Sequence, residues 1–346
     1  MRSDGSDSKQ SFHYIVRSGL AGGIAGCVAK TVVAPLDRVK ILFQASNPEY
    51  QKYAGSWSGA FRAAGHIYKE NGARGLLQGH SATLLRIFPY AAIKFMAYDQ
   101  VEHILMPTPE SQTNVRRFSA GAMSGVISVF FTYPLELIRV RMAFLTRSSP
   151  PHGLPYERPT FLRVMSYIYR EGASLPPSSD SAPASTSVST RALFTRFPIL
   201  KFYRGFSVTV VGMVPYAGTS FLTWGFLRSQ LIPPPSPSPD KPGSSDVSHI
   251  SRARPTPLAD LAIGAVSGAI AQTASYPFEV VRRRMQVGGV TRPDRWLRWG
   301  ETAQAIWGAR GWRGFYVGLS IGYLKVVPMT AVSYAVWQWG KRVLGV

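Results

Sequence analysis

The sequence predicts an all-α membrane protein, with six transmembrane helices in three pseudo-symmetric repeats and a short amphipathic surface helix inside each repeat. Three observations predict it. The segment Pro35-Leu36-Asp37-Arg38-Val39-Lys40 returns as Pro134-Leu135-Glu136-Leu137-Ile138-Arg139 and again as Pro277-Phe278-Glu279-Val280-Val281-Arg282. Each copy closes a mostly apolar run whose glycines stand four apart (Gly22 and Gly26, Gly121 and Gly125, Gly264 and Gly268), a spacing that lets helix backbones approach closely in lipid. Mean hydropathy is near zero and only 16% of the 346 residues are charged, which favours one membrane body over two soluble domains.

In chain order, Met1 to Phe12 reads as a polar tail holding both acids and bases, unlike an acid-poor transit peptide. Residues 13–105 form the first repeat: a helix from Tyr14 to Ile41, an amphipathic segment from Ser56 to Glu70, and a second helix from about Ser81 to Val101. The second repeat, 115–230, has helices from Phe118 to Phe144 and from Phe206 to Leu227, with a surface segment from Phe161 to Gly172. It is longer than the first, and the excess is a Ser/Pro/Ala run at 174–190 that cannot pack a core and reads as a disordered loop. A Pro/Ser-rich linker at 231–256 leads to the third repeat, 257–346, with helices from Leu258 to Met285 and from Leu319 to Val343 around the surface segment Arg295 to Gly311. None of the six spans is a clean run of about twenty apolar residues, as helices with one wet, cavity-facing side should not be.

Charge orients the body. Of the 39 Lys and Arg, 24 lie in the segments joining the two helices of a repeat, and eleven lie at the termini and between repeats. The positive-rich side is therefore the side of the within-repeat loops. Four bases remain inside the spans: Lys30, Arg86, Lys94 and Lys325. Ionisable residues at membrane depth are costly and normally face a cavity or a partner. The nearest acids belong to the Pro motifs, which have bases of their own, so a surplus of positive charge and a place for an anion are expected. Arg86, Tyr90 and Lys94 follow at intervals of four and form one stripe on a helix. Arg suits bidentate contact with phosphate and Lys a point-charge contact; snorkelling to the bilayer surface is a competing reading for Lys94.

In each Pro motif the acid stands two residues after the proline and the base three residues after the acid, on one helix face. Proline bends the helix, so three such helices around an axis lean together and set three acids and three bases in a ring. A closed ring suggests that each acid pairs with the base of the next repeat: Asp37 with Arg139, Glu136 with Arg282, Glu279 with Lys40. At an effective dielectric near 20 such a pair gains about 4 kcal/mol in gross Coulomb energy, and desolvation removes much of it, which suits a gate that opens. Gln44 and Gln286, four residues after their bases, could brace the pairs from beneath, whereas Ala143 cannot. Leu42 also stands where Arg141 and Arg284 supply a second base.

The threefold Pro-x-acid-x-x-base pattern resembles the mitochondrial carrier family, over nearly the whole chain. The resemblance implies a multi-pass protein of the mitochondrial inner membrane, with the Pro-motif ring as a matrix-side gate and both termini on the cytoplasmic side. It also implies substrate contacts three residues before the even-helix prolines, here Arg86, Gly212-Met213 and Lys325, with Lys30 at the position of a substrate lysine in adenine nucleotide carriers. Near the ends of the even helices, where carriers place an aromatic, an acid and a base, only Asp99 with Arg228 looks like a pair, so the cytoplasmic gate is expected to be the weaker one and the empty protein to rest open to that side. Gly72, Gly79, Gly172, Gly205, Gly311 and Gly318 precede the even helices; free N–H groups at helix starts bind phosphate, and in the family they hold cardiolipin. The stretches Ala34 to Ser46, Gly79 to Phe95 and Tyr133 to Arg141 look like the coenzyme A carrier group, of fungal and Graves-disease type. That resemblance implies transport of coenzyme A by alternating access, in exchange for adenosine 3′,5′-diphosphate or another adenine nucleotide, by a monomer. The alternative is an ATP-Mg/phosphate or other adenine nucleotide carrier.

Other classes fit less well. There is no phosphate-binding Walker loop, no Ser/His/Asp or Cys/His set and no paired carboxylates, so no catalytic residue is assigned and the chain is not read as an enzyme. Cys27 is the only cysteine, and the six histidines have no metal-ligand spacing, so no metal or cofactor is expected. A formal charge of +21 would also suit a nucleic-acid-binding protein, but the bases follow the loops of a membrane topology, and nucleic acid is not expected as a partner.

Overall fold

The computed structural model describes residues 4–108, 113–146, 158–171, 196–231, 257–291 and 297–344. The 174–190 insertion, the linker from 232 to 256 and Gly172 lie outside the described residues. Among the described residues there is no strand. The helices are α1 (Asp4–Gln44), α2 (Trp57–Leu76), α3 (His80–Leu105), α4 (Asn114–Phe144), α5 (Phe161–Arg170), α6 (Phe206–Leu231), α7 (Pro257–Thr291), α8 (Trp299–Arg310), α9 (Leu319–Leu324) and α10 (Val326–Leu344). They fall into two compact units, Met1–Val208 with Val280–Val346, and Thr209–Glu279.

Local chemistry accounts for most boundaries. Thr113 caps α4, its side chain accepting from the Arg116 amide at 3.3 Å. Pro257 opens α7, where a missing N–H costs nothing. Pro35, Pro89, Pro134, Pro215 and Pro277 all sit inside helices. Pro328 acts differently. It cannot donate to the Leu324 carbonyl, and the last even helix is interrupted at Lys325 between α9 and α10 rather than running unbroken from Leu319. The first helix also differs from expectation, starting at Asp4 within the polar tail, because no proline stands between Asp4 and Pro35 to stop it.

The surface helices bury narrow stripes. α5 buries Val164 and Ile168 and α8 buries Thr302 and Ile306, each pair four apart. α2 sets Ala60, Ala63 and Ile67 against Val39, Leu42 and Phe43 of α1 and Ile321 of α9. Three segments of the described residues, 115–144, 198–231 and 299–343, are long and apolar enough to cross a membrane by length and composition. Here the expectation that no span is cleanly apolar is too strict. α1, α3 and α7 do not meet that measure among the described residues. Phe95, Met96, Val214 and Leu222 are about 70% exposed, which would be an aggregation hazard in water and is the natural outer face of a helix in lipid.

In the larger unit α1 packs along α10 and α3 along α4. The ends of α1, α4 and α7 beyond the Pro motifs meet in an apolar cluster of Ile41, Ala45, Val140, Ala143, Phe144 and Val287. In the smaller unit Gly212 of α6 lies against Phe278 of α7, where an added Cβ would come within 2.9 Å of the Phe278 Cβ. That close approach gives the glycine a packing role.

Candidate functional site: two carboxylates among six cations

The apolar cluster has an ionic layer one helical turn above it, since Ile41, Val140 and Val287 each follow a charged residue of that layer by four positions: Asp37, Glu136 and Arg283. The layer is built around the two acids. Asp37 Oδ2 accepts from Arg139 at 2.9 Å, the expected inter-repeat pair. Its Oδ1 accepts from Lys325 at 2.8 Å. Glu136 is ion-paired with Arg282, again as expected, and also with Arg86 at 3.0 Å and Arg283 at 3.1 Å. Lys30 stands nearby on α1, its ammonium 3.5 Å from the Met329 sulfur on α10.

Two findings change the sequence picture. Arg86 and Lys325 are not surplus cations waiting beside a complete ring; each binds a ring acid directly. Arg283, which follows the motif base, is a third guanidinium on Glu136. The spacing argument missed both because it paired acids and bases within one layer of motifs, whereas Arg and Lys reach across a helix turn on long side chains. The surplus itself stands: Lys30, Arg86, Arg139, Arg282, Arg283 and Lys325 face Asp37 and Glu136.

Gln286 bonds to Arg283 rather than to either member of the Glu136–Arg282 pair. Its Oε1 accepts from Arg283 at 2.9 Å and its Nε2 donates to the Tyr133 hydroxyl at 3.1 Å; that hydroxyl donates in turn to the Arg204 carbonyl at 2.7 Å. Gln44 is buried. The Arg86 guanidinium stacks 5.4 Å from the Tyr90 ring centroid, so the predicted stripe is continuous there, whereas Lys94 is exposed. Lys40 is buried in the larger unit and Glu279 ends the smaller one. Asp99 is exposed, and the Arg228 guanidinium lies 4.8 Å from the Trp224 ring centroid within the smaller unit.

A second ionic knot was not read from the sequence. Glu171, at the end of α5, binds Arg141 at 2.6 Å and Arg204 at 2.5 Å, and Lys201 donates to the Tyr169 and Glu171 carbonyls at 2.9 and 2.7 Å. Arg141 also donates to the Gln286 carbonyl at 3.1 Å, tying α4, α5 and the end of α7 together. The available signal was Glu171 standing before Gly172, where the first repeat has Asn71 before Gly72. The first repeat lacks both that acid and the second base; instead Arg38, almost fully buried, donates to the Gly75 and Ala143 carbonyls.

The glycines before the even helices, among the described residues, all have positive φ. Gly79 additionally lies against α4, and Gly205 against α4 and α7: a Cβ would meet the Arg139 carbonyl at 2.9 Å in one case and the Tyr133 hydroxyl and Arg282 carbonyl at 3.2 and 3.3 Å in the other. Close packing against the motif helices gives these two glycines a structural role of their own.

Residues 12–108, 110–174 and 253–346 match the family described as mitochondrial carrier protein. The chain is 44% identical over 349 residues to the mitochondrial carrier protein LEU5 of Saccharomyces cerevisiae, covering 98% of this chain and 93% of that one. It is 38% identical over 338 residues to solute carrier family 25 member 16 of Bos taurus, covering 95% and 89%. It is 32% identical over 326 residues to the mitochondrial carrier protein CoAc2 of Zea mays, covering 93% and 85%.

Proposed function

Because the chain belongs to the mitochondrial carrier family, and is therefore a multi-pass transporter of the mitochondrial inner membrane and not an enzyme, we propose that it moves coenzyme A across that membrane by alternating access. Adenosine 3′,5′-diphosphate or another adenine nucleotide is the exchange partner. The motif stretches that resemble the coenzyme A carrier group, Ala34 to Ser46, Gly79 to Phe95 and Tyr133 to Arg141, support this substrate.

The observation that carries the reading is that Arg86 and Lys325 bond to Glu136 and Asp37. A phosphorylated substrate offers these cations oxygens that compete with the two carboxylates, with Lys30 and Tyr90 alongside and Lys94 further along the stripe. Drawing Arg86 and Lys325 away strips each acid of one partner and leaves Asp37 with Arg139, and Glu136 with Arg282 and Arg283. Substrate binding and gate opening then share the same charges: the cations fall back on the acids when the substrate leaves. The gain is largest in the intermediate in which substrate holds the cations and the ring is loosened, as transport requires. The ring is the matrix gate, Gln44 and Gln286 its brace, and Asp99 with Arg228 the weaker cytoplasmic gate. The carrier works as a monomer with cardiolipin at the even-helix starts.

The test is uptake into liposomes loaded with adenosine 3′,5′-diphosphate. Labelled coenzyme A should enter faster than labelled ATP, and an excess of ATP should compete weakly. Faster ATP uptake would replace this reading with that of an adenine nucleotide carrier.

A further inference from the structure

On the loop face of the first repeat, away from the ionic layer, Glu49, His66 and Glu70 converge. One ligand atom from each lies within 4.8 Å of the others. The His66 Nδ1 is buried and makes no hydrogen bond, although it is 3.8 Å from Glu49 Oε1 and 3.6 Å from Glu70 Oε2. Those separations are too long for hydrogen bonds. They are close to the spacing of about 3.4 Å between donor atoms that bond lengths near 2.0–2.2 Å give around a tetrahedral zinc ion. An imidazole nitrogen with two carboxylate oxygens is a donor set for a first-row transition cation, in contrast to the all-oxygen shells of magnesium and calcium.

The surroundings hold the three groups in place. The His66 ring is packed edge-on against Tyr50 at 5.7 Å and lies 6.1 Å from Tyr53. The Tyr50 hydroxyl lies 3.5 Å from Glu70 Oε2, the same oxygen that faces His66. The Glu49 amide donates to the Asn47 side chain at 3.1 Å, and Asn47, fully buried, donates to the Phe144 carbonyl at 3.2 Å. Phe144 belongs to the apolar cluster below the ionic layer. Glu49 comes from the loop after α1, and His66 and Glu70 from one face of α2, where residues four apart adjoin.

We propose that Glu49, His66 and Glu70 form a binding site for a divalent transition-metal cation of the zinc class. Water fills the remaining position. A bound ion fastens the loop after α1 to the surface helix α2 and, through Asn47, steadies the end of α4 in the closed arrangement.

The experiment uses the full chain, purified in detergent. Zinc is titrated against a chromophoric chelator, and thermal unfolding is followed with and without the ion. The expected result is one zinc ion per chain and an unfolding temperature raised by zinc but not by magnesium. His66→Gln should weaken zinc binding by at least about tenfold and abolish the rise. Glu70→Gln, at the most exposed ligand, should do the same while leaving the metal-free unfolding temperature unchanged, and it decides the matter if the His66 variant does not fold. Equal zinc binding by wild type and Glu70→Gln, an equal rise with magnesium, or no rise with zinc would overturn the site. These readouts do not depend on which solute the carrier moves.

Discussion

Two carboxylates with the same motif position have different surroundings. Glu136 is nearly sealed, with its side chain 3% exposed, and takes three guanidiniums. Asp37 is 10% exposed and takes one guanidinium and one ammonium. The difference teaches where the layer is fixed and where it yields. Around Glu136 the cations outnumber the acid three to one, and the extra guanidinium, Arg283, is itself anchored through Gln286 to Tyr133. The Asp37 side has fewer partners around a more exposed acid, and Lys325 sits at the break between α9 and α10, three residues before Pro328. Opening should begin at Asp37 and finish at Glu136.

Removing each charge in turn is the strongest way to break this comparison. Glu136→Gln takes the charge of a nearly buried carboxylate away from three half-buried guanidiniums and should cost about 3–5 kcal/mol, the range for a buried pair that loses one partner. Asp37→Asn should cost less, because the acid is more exposed and two cations rather than three lose it. Thermal unfolding of the purified variants measures both, and equal losses would erase the distinction. Transport separates the cations that hold the gate from those that serve the substrate. Arg86→Lys keeps a charge for Glu136 but loses bidentate phosphate contact, so coenzyme A uptake should fall by about tenfold or more while the unfolding temperature stays near wild type. Unchanged uptake in Arg86→Lys would leave Arg86 as a gate residue alone.

The sequence carried the helices and the ring because both repeat: three prolines, three acids and three bases at fixed spacing leave few alternatives. It predicted Asp37–Arg139 and Glu136–Arg282, which depend only on helix order. It could not predict that Arg86 and Lys325 share those acids, since that depends on side-chain reach between helices distant in the chain. Arg283 was hidden for a related reason, lying beside the motif base in a run of three arginines. Nor could it show the Glu49, His66 and Glu70 cluster, because Glu49 is brought to α2 by a loop with no periodicity of its own. The glycines were legible as positions but not as roles: spacing alone does not distinguish a phosphate-binding turn from a place where two backbones nearly touch.

Gly79 and Gly205 sharpen the comparison from below, because each packs against the helix that carries one side of the layer. Gly79 meets the Arg139 carbonyl on the Asp37 side, and Gly205 meets Tyr133 and the Arg282 carbonyl on the Glu136 side. Alanine at either would be strained at φ +86 or +80, at about 1–3 kcal/mol for a residue held in a sparsely populated region. The Gly79→Ala cost should be the larger, since its Cβ would meet backbone at 2.9 Å rather than at 3.3 Å. Unfolding temperatures in detergent rank the two, and the reverse order would mean that the Glu136 side is packed more tightly than its contacts indicate.

The smallest expected effect concerns Gln286, and it isolates what anchors the Glu136 side. The amide joins the Arg283 guanidinium to the Tyr133 hydroxyl, and the hydroxyl continues to the Arg204 carbonyl beside the Glu171 knot. Gln286→Leu fills similar space but leaves the Tyr133 oxygen without its donor and removes one acceptor from Arg283. The cost should be about 1–3 kcal/mol, the desolvation penalty of a buried group left unsatisfied. In a double-mutant cycle with Glu136→Gln the two losses should not add, because both act on Arg283. The same cycle with Asp37→Asn should be additive, because Gln286 has no bond to either partner of Asp37 among the described contacts. Coupling to both acids would make the layer a single cooperative ring, and the two carboxylates would then open together rather than in sequence.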